Sequence, residues 1–402
     1  MSSLIEHAQT ITVEGLRSNK QDAPDGASCF VVSARFPASR GVVEFVADDG
    51  STVLLAATGN MRRFIADRLN EDGQSSPKAN LAPIAARIIA YPTGSAFESD
   101  WIVLERARRV DPELLAKLND QNQRAFLVLD PNTSTWRVDD TRGLSADPSE
   151  RVIGPILTGK AARLLGETLD DVYELCRYPK ELALAPNGCA CAYKEMGRCP
   201  GVCDGSEPME VFRARFSQAL NAASVGTGAW GEQLGAEIAD ASDAMDFERA
   251  QRTKRSLDAI EKLPIEAVEH AGAIDGFACV CITPSVRKGW AMVWGFDASG
   301  LVPMLSTRDD AAGVEGMIER WASASFSVSA SPNQSPNQVW LDRFALISRH
   351  WFTKPARARR RRVTILDLRH SCLGGKIIKA ISQAAAVVEL GCDDEEQTHI
   401  RG

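Results

Sequence analysis

The stretch that decides the reading of this chain is IGPILTGKAARLLGETLDDVYELC, Ile153 to Cys176, followed after a short connector by CAYKEMGRCPGVCDG, Cys191 to Gly205. The segment KAARLLGETLDDVYELC carries apolar residues at helical spacing, so a helix is expected with Cys176 at its end. Downstream, Cys191, Cys199 and Cys203 stand in the spacing C-x7-C-x3-C, with Cys189 just ahead of them. Five of the ten cysteines thus fall in one short segment. In a chain of this size the concentration points to a metal or cluster site rather than to disulfides. Thiolates are soft ligands, and four of them suit zinc or an iron–sulfur cluster. The spacing is not that of a zinc ribbon with paired C-x2-C knuckles. A plain set of buried free cysteines is the alternative.

Working outward, the chain has 402 residues, 44% hydrophobic and 25% charged. That is ordinary globular composition, and two or three domains of about 100–200 residues are expected. No apolar run approaches the roughly 18 residues that span a bilayer. The opening MSSLIEHAQT has neither the basic head nor the apolar stretch of a signal peptide. A cytoplasmic protein without membrane association is the expectation. The net charge of −7 does not advertise nucleic-acid binding, but binding depends on local patches. One basic patch is Arg106, Arg108 and Arg109. Another is Lys354 with Arg357, Arg359, Arg360, Arg361 and Arg362, offset by the acidic run Asp393 to Glu396.

Read for organisation, the chain is α+β with small modules in a row. A polar lead-in covers 1–27. Residues 28–140 alternate β-type runs and helices: CFVVSARF, GVVEFVA and STVLLAA read as strands, the last two flanking the hairpin signal DDG. A polar connector at 141–152 leads into the Cys-rich module at 150–225, and a Gly-rich linker is expected near 225–231. A helical hairpin follows at 232–265, a small α+β module at 270–350, and a basic tail with a terminal helix at 351–402.

The cysteine segment resembles that of the UvrC/Cho-like excinuclease family, in which a long helix ending in Cys precedes a Cys-rich loop. The resemblance implies that Cys176, Cys191, Cys199 and Cys203 bind a four-iron four-sulfur (4Fe-4S) cluster, with zinc as the alternative and Cys189 as a competitor for the place of Cys191. IADASDAMDFERAQRTKRSLDAIEKL, Ile238 to Leu263, resembles the family's UVR hairpin. It reads as two short amphipathic helices, marginal alone. The resemblance implies contact with a UvrB-like partner through Phe247, Glu248, Ile260 and Leu263. A plain αα-hairpin is the alternative, with Phe247, Ile260 and Leu263 as core in either case.

The segment before the cysteines resembles a GIY-YIG nuclease domain in the order of its parts: RGVVEF (Arg40 to Phe45), ADDG, LLAAT, NMRRF (Asn60 to Phe64) and DWIVLE (Asp100 to Glu105). Its chemistry is depleted. Such a nuclease needs a tyrosine, a basic side chain for the phosphate and a carboxylate for Mg2+ or Mn2+. The family tyrosines fall on Val43 and Leu54, the glycine on Ala56, the lysine on Ala57 and the arginine on Phe64. Only the metal-binding glutamate stands, as Glu105. Arg63 is one residue from the arginine slot, about 100° around a helix.

Three functions compete. The first is a DNA-repair protein of nucleotide excision repair that binds DNA (Arg62, Arg63 and the arginine run at 357–362 as contacts) and a UvrB-like partner, with an inactive nuclease centre. The second is an active metal-dependent endonuclease rebuilt around Glu105. The third is an iron–sulfur scaffold with no DNA role.

Overall fold

A computed structural model of the chain describes residues 11–14, 30–70, 79–144, 147–275, 277–297, 300–307, 313–321, 337–352, 363–368 and 375–386. The fold is α+β, with three four-stranded antiparallel sheets among the described residues. The chain divides into two compact units: Met1–Gln121 with Ala278–Ser325 and Arg349–Gly402, and Asn122–Phe277 with Phe326–Ser348.

The first unit opens with β1 (Ile11–Glu14), β2 (Gly41–Val46), β3 (Thr52–Thr58) and β4 (Arg87–Pro92), in the order β1-β4-β2-β3. The DDG signal delivers the expected hairpin between β2 and β3, Asp49 accepting from the Ser51 N–H and Gly50 taking φ +84°. Helices α1 (Phe30–Ala34), α2 (Met61–Leu69), α3 (Ala96–Val110) and α4 (Pro112–Asn122) accompany the sheet. At Phe30–Ala34 the run read as a strand is a helix, not a strand. Its β-branched residues favour one, but Val32 and Phe36, four apart, both meet the core of Val43, Phe45, Met61 and Ile88, which demands a helical turn.

β2 is buried along its whole length, and it carries a carboxylate there. Glu44 is 1% exposed; its oxygens accept from Arg106 Nη2 (2.8 Å) and Nε (3.1 Å), Thr52 Oγ1 (2.7 Å) and Tyr91 OH (3.3 Å). Every lone pair has a donor, which is what lets a charge sit among apolar strands. The unit also holds β9 (Cys279–Pro284), β10 (Ala291–Asp297), β11 (Gly300–Thr307) and β12 (Thr364–Asp367), ordered β11-β10-β9-β12. Val280, Ile282 and Val293 pack there with Ile318 of a helix over 313–321 and with Ile377 and Ile381 of the helix Lys376–Ala385. The tail strand and terminal helix thus complete the sheet begun at β9. Gly94 is required where β9 passes: a Cβ on it would lie 2.2 Å from the Pro284 carbonyl oxygen.

The second unit holds β5 (Ala125–Asp130), β6 (Thr135–Asp140), β7 (Arg151–Ile156) and β8 (Gly272–Ala273), ordered β6-β5-β7-β8. β7 takes up the end of the stretch read as a polar connector. Its helices are α5 (Gly159–Tyr173), α6 (Pro179–Leu182), α7 (Ala192–Glu195), α8 (Met209–Val225), α9 (Thr227–Asp243), α10 (Phe247–Glu261) and α11 (Ile265–Val268). The Gly-rich linker near 225–231 is instead a one-residue break. Gly226 (φ +89°) ends α8, and α9 starts at once because Trp230, 1% exposed, stacks on Tyr173 at 6.0 Å. Leu127, Leu129, Ile153, Leu165, Leu169, Phe212, Phe216 and Trp230 form one core with Ile260 and Leu263. No helix of the described residues is long and apolar enough to cross a membrane.

Replacing Arg106 with Ala leaves Glu44 buried without its cation. The expected cost is about 3 kcal/mol in urea unfolding, the low end for a broken buried pair because the guanidinium keeps some water. Glu44→Leu in the same background is expected to recover most of it. An Arg106→Ala variant as stable as the parent would contradict this account.

Candidate metal centre

The cysteine site is assembled at the end of α5. Thr158 caps the helix start, its hydroxyl accepting from the Ala161 N–H at 3.2 Å. Ala161, Ala162, Leu165 and Leu169 lie in the core. Trp136 of β6 lies across the opposite turn: a Cβ on Gly166 would stand 2.7 Å from its ring, and its Nε1 donates to Asp170 at 2.9 Å. Glu174 ends the helix in the left-handed region (φ 51°), and its carbonyl accepts from Arg215 Nη2 at 3.2 Å. Arg215 is anchored by Glu207, 2.8 Å away. The chain therefore leaves α5 in a defined direction, two residues before Cys176.

The other cysteines come from a loop held by local bonds. The Gly188 N–H donates to the Cys203 carbonyl at 2.8 Å, and there a side chain at 188 would press on the carbonyls of Glu181 and Cys203. Gly201 and Gly205 take φ +91° and +79°. Lys194 pairs with Asp204 and donates to Ser206 at 2.6 Å, and its hydrogen bond holds the Asp204 carboxyl down at about 2. Cys199 and Cys203 are buried, Cys176 and Cys191 half-buried, and Cys189 exposed.

Burial pushes the Cys176 thiol up to about 11, and the neighbouring thiols of Cys199, Cys203 and Cys191 add to it. Burial also raises Cys203, with Asp204, Cys199 and Cys191 contributing. Cys176 thus feels the thiols of Cys191, Cys199 and Cys203, and Cys203 feels those of Cys191 and Cys199, while Cys189 meets Cys203 only through its backbone carbonyl, 3.5 Å from Cys203 Sγ. Among the described residues, no three His, Cys, Asp or Glu side chains already stand as a ready-made metal cage. The donor type, soft cysteine sulfur, is of the kind that suits a thiophilic metal or cluster.

The other residues singled out by sequence lie apart from the cysteines in their roles. Arg62 and Arg63 are exposed neighbours on α2, with Arg62 Nε donating to the Phe36 carbonyl at 2.9 Å. Glu105 is buried on α3. Val43 and Phe64 belong to the apolar core, and Leu54 and Ala56 pack against it. Arg357, Arg359, Arg360, Arg361 and Arg362 lie outside the described residues.

The helical hairpin forms as α9 and α10, joined by a turn in which Met245 has φ 57° and Asp246 caps Arg249 N–H at 3.1 Å. Its expected contacts divide. Ile260 and Leu263 are 3% and 4% exposed in the core, so they root the hairpin rather than meet a partner. Phe247, expected as core, is 72% exposed, beside Met245 at 77%. It is the first residue of α10, at the hairpin tip and beyond the reach of the sheet's core. Glu248 is exposed next to it. The sequence reading also missed Trp136, Gly166 and Asp170. The one local signal for them was a glycine inside a strong helical pattern, which marks close packing.

A small antiparallel sheet carrying one long helix that delivers a cysteine-rich loop defines the class of module. Residues 126–222 match the UvrC/Cho excinuclease middle domain, and Cys176, Cys191, Cys199 and Cys203 all fall within them. The chain is a distant homologue of UvrC proteins over about half its length. It is 24% identical over 228 residues to UvrABC system protein C of Nitratidesulfovibrio vulgaris, covering 56% of this chain and 33% of that protein. For the same-named protein of Syntrophotalea carbinolica the values are 23%, 57% and 37%, and for that of Christiangramia forsetii 23%, 56% and 38%. The matched part thus spans little more than a third of these relatives. No solved structure matches the chain.

Burial raises Asp170 to about 7, against a lowering by its bond from Trp136. A carboxyl raised in the fold prefers its proton there, so it weakens the fold as pH climbs from about 4 through about 7. Asp170→Asn keeps the acceptor for Trp136 without the charge. Its stability relative to the parent is expected to rise by on the order of 2 kcal/mol between pH 5 and pH 8. Parallel pH curves for the two proteins would refute this assignment.

Proposed function

We propose that this chain is a UvrC-like DNA-repair protein that binds DNA and a UvrB-like partner, and whose GIY-YIG-like nuclease centre is inactive. The observation that carries the reading is that Cys176, Cys191, Cys199 and Cys203 all lie inside the stretch that matches the UvrC/Cho middle domain, with the Cys176 thiol acted on by the other three. In this reading those four residues hold a 4Fe-4S cluster, with zinc as the alternative. When bound, a cluster cross-links the loop to α5 and supplies a redox centre, while zinc supplies the cross-link alone.

Three features support the rest. The nuclease resemblance keeps its hairpin and its helices, but Val43 and Phe64 have been absorbed into packing. Neither side chain can handle a proton or neutralise a phosphate. Glu105, the retained carboxylate, is buried. At the hairpin tip, Met245 and Phe247 offer an exposed apolar pair, followed along the chain by exposed Glu248, Arg249 and Arg252. Exposed aromatic anchors with charged rims are the composition of protein-binding surfaces. Arg62 and Arg63 supply an exposed basic pair for phosphates.

The test is a binding and cleavage assay on nicked, bubble and intact duplex DNA with Mg2+ or Mn2+, beside capture by an immobilised UvrB-like protein. Expected are DNA retention that weakens as salt rises, no cutting, and partner capture reduced about tenfold or more by Phe247→Asp, as for loss of a hot-spot aromatic. Metal-dependent cutting that disappears in Glu105→Ala would overturn the inactive centre. Failure to retain any DNA at low salt would leave a scaffold in its place.

A further inference from the structure

Arg177 follows the first cysteine directly, yet its side chain serves the far side of the site. Its guanidinium lies over the ring of Tyr193, 4.2 Å from the centroid. Tyr193 sits on α7, between Cys191 and Cys199. Nη2 of Arg177 pairs with Asp171 of α5, and Asp171 also faces Arg198, the residue before Cys199, at 4.0 Å. Tyr178 adds a tilted ring contact to Tyr193 at 6.1 Å. One side chain therefore ties together α5, the Cys176 corner and the loop that carries the next two cysteines.

The charge of Arg177 acts on Asp170, but one of its nitrogens finds no hydrogen-bond acceptor in the fold. Nη1 is buried without an acceptor, and Arg177 lines a cavity together with Cys176, Asp170 and Trp136. Leaving such a donor unpaired costs about 1–3 kcal/mol. A cation lining the same cavity as Cys176 is the kind of neighbour that orients and tunes what a thiol site holds.

We infer that Arg177 is the positioning residue of the four-thiol site: it latches the Cys191–Cys199 loop to α5 and offers Nη1 to the anionic group that the thiolates gather. The second half rests on the reading that the thiols hold a metal or cluster; the latch does not. Lysine cannot replace it, because the contact to Tyr193 uses the flat guanidinium face while a second nitrogen pairs with Asp171.

The test uses the full-length chain and four variants: Arg177→Gln, Arg177→Lys, Tyr193→Leu and Tyr193→Phe. The first readout is the rate at which iodoacetamide alkylates Cys191 and Cys199 in chelator-treated protein, followed by mass spectrometry. Arg177→Gln and Tyr193→Leu are expected to react about five- to tenfold faster, the scale of one lost cation–π and ion-pair contact. Tyr193→Phe keeps the ring face and is expected to stay within about twofold of the parent. The second readout is metal: Arg177→Gln is expected to lose its metal faster to a chelator and, where iron is present, to show a lower midpoint potential, since a positive charge favouring the reduced state is gone. Parent-like alkylation in Arg177→Gln and Tyr193→Leu overturns the latch. Unchanged metal retention and potential overturn the role of Nη1. A parent protein that takes up neither iron nor zinc sinks the cluster reading and the Nη1 role with it, while the alkylation rates still decide the latch.

Discussion

The second unit depends on how α5 is seated against Trp136. An indole lying flat across a helix needs a turn without a side chain, and Gly166 supplies it, since any Cβ there would stand 2.7 Å from the ring. Contact alone would let the helix slide or rotate. The hydrogen bond from Trp136 Nε1 to Asp170, one turn on, removes that freedom at 2.9 Å. Its cost is a carboxyl held in a nearly dry place, raised to about 7. With the helix fixed in rotation and depth, the Glu174 corner held by Arg215 fixes where Cys176 emerges. The thiol site is thus positioned by the sheet, through the helix, and not by the cysteine loop alone.

The same core sets what the hairpin can do. Ile260 and Leu263 are rooted among Leu165, Phe216 and Trp230, so the base of α10 is part of the module that bears the cysteines. The tip, with Phe247 and Met245, is left to solvent. A rigid root and an exposed apolar tip suit a docking element better than an independent hairpin, which would be marginal in water. In the first unit the corresponding constraint is electrostatic. Glu44 is held inside the sheet by Arg106, Tyr91 and Thr52, a network with no open position for a substrate.

What could be read from the sequence was what is local. The C-x7-C-x3-C run and the helix before it are contiguous, so spacing marked the segment, and the family resemblance chose Cys176, Cys191, Cys199 and Cys203 over Cys189. The DDG hairpin and the amphipathic pair α9 and α10 are likewise short-range patterns. What escaped was set by partners far along the chain. Glu44 and Arg106 stand 62 residues apart, and Trp136 and Asp170 stand 34 apart. β12 closes a sheet begun at Cys279. Phe30–Ala34 has strand propensity and is helical, which lets Val32 and, just past the helix, Phe36 reach the same core. Phe247 has the hydrophobicity of a core residue and lies outside because it starts a helix at the hairpin tip.

The most direct test of the account is the metal content and visible spectrum of the full-length chain purified without oxygen, compared across single serine substitutions of five cysteines. The account predicts bound iron with broad visible absorption in the parent, loss of both in the Cys176, Cys191, Cys199 and Cys203 variants, and retention in the Cys189 variant. A parent without iron or zinc would contradict it. So would a site that survives loss of Cys191 and fails on loss of Cys189.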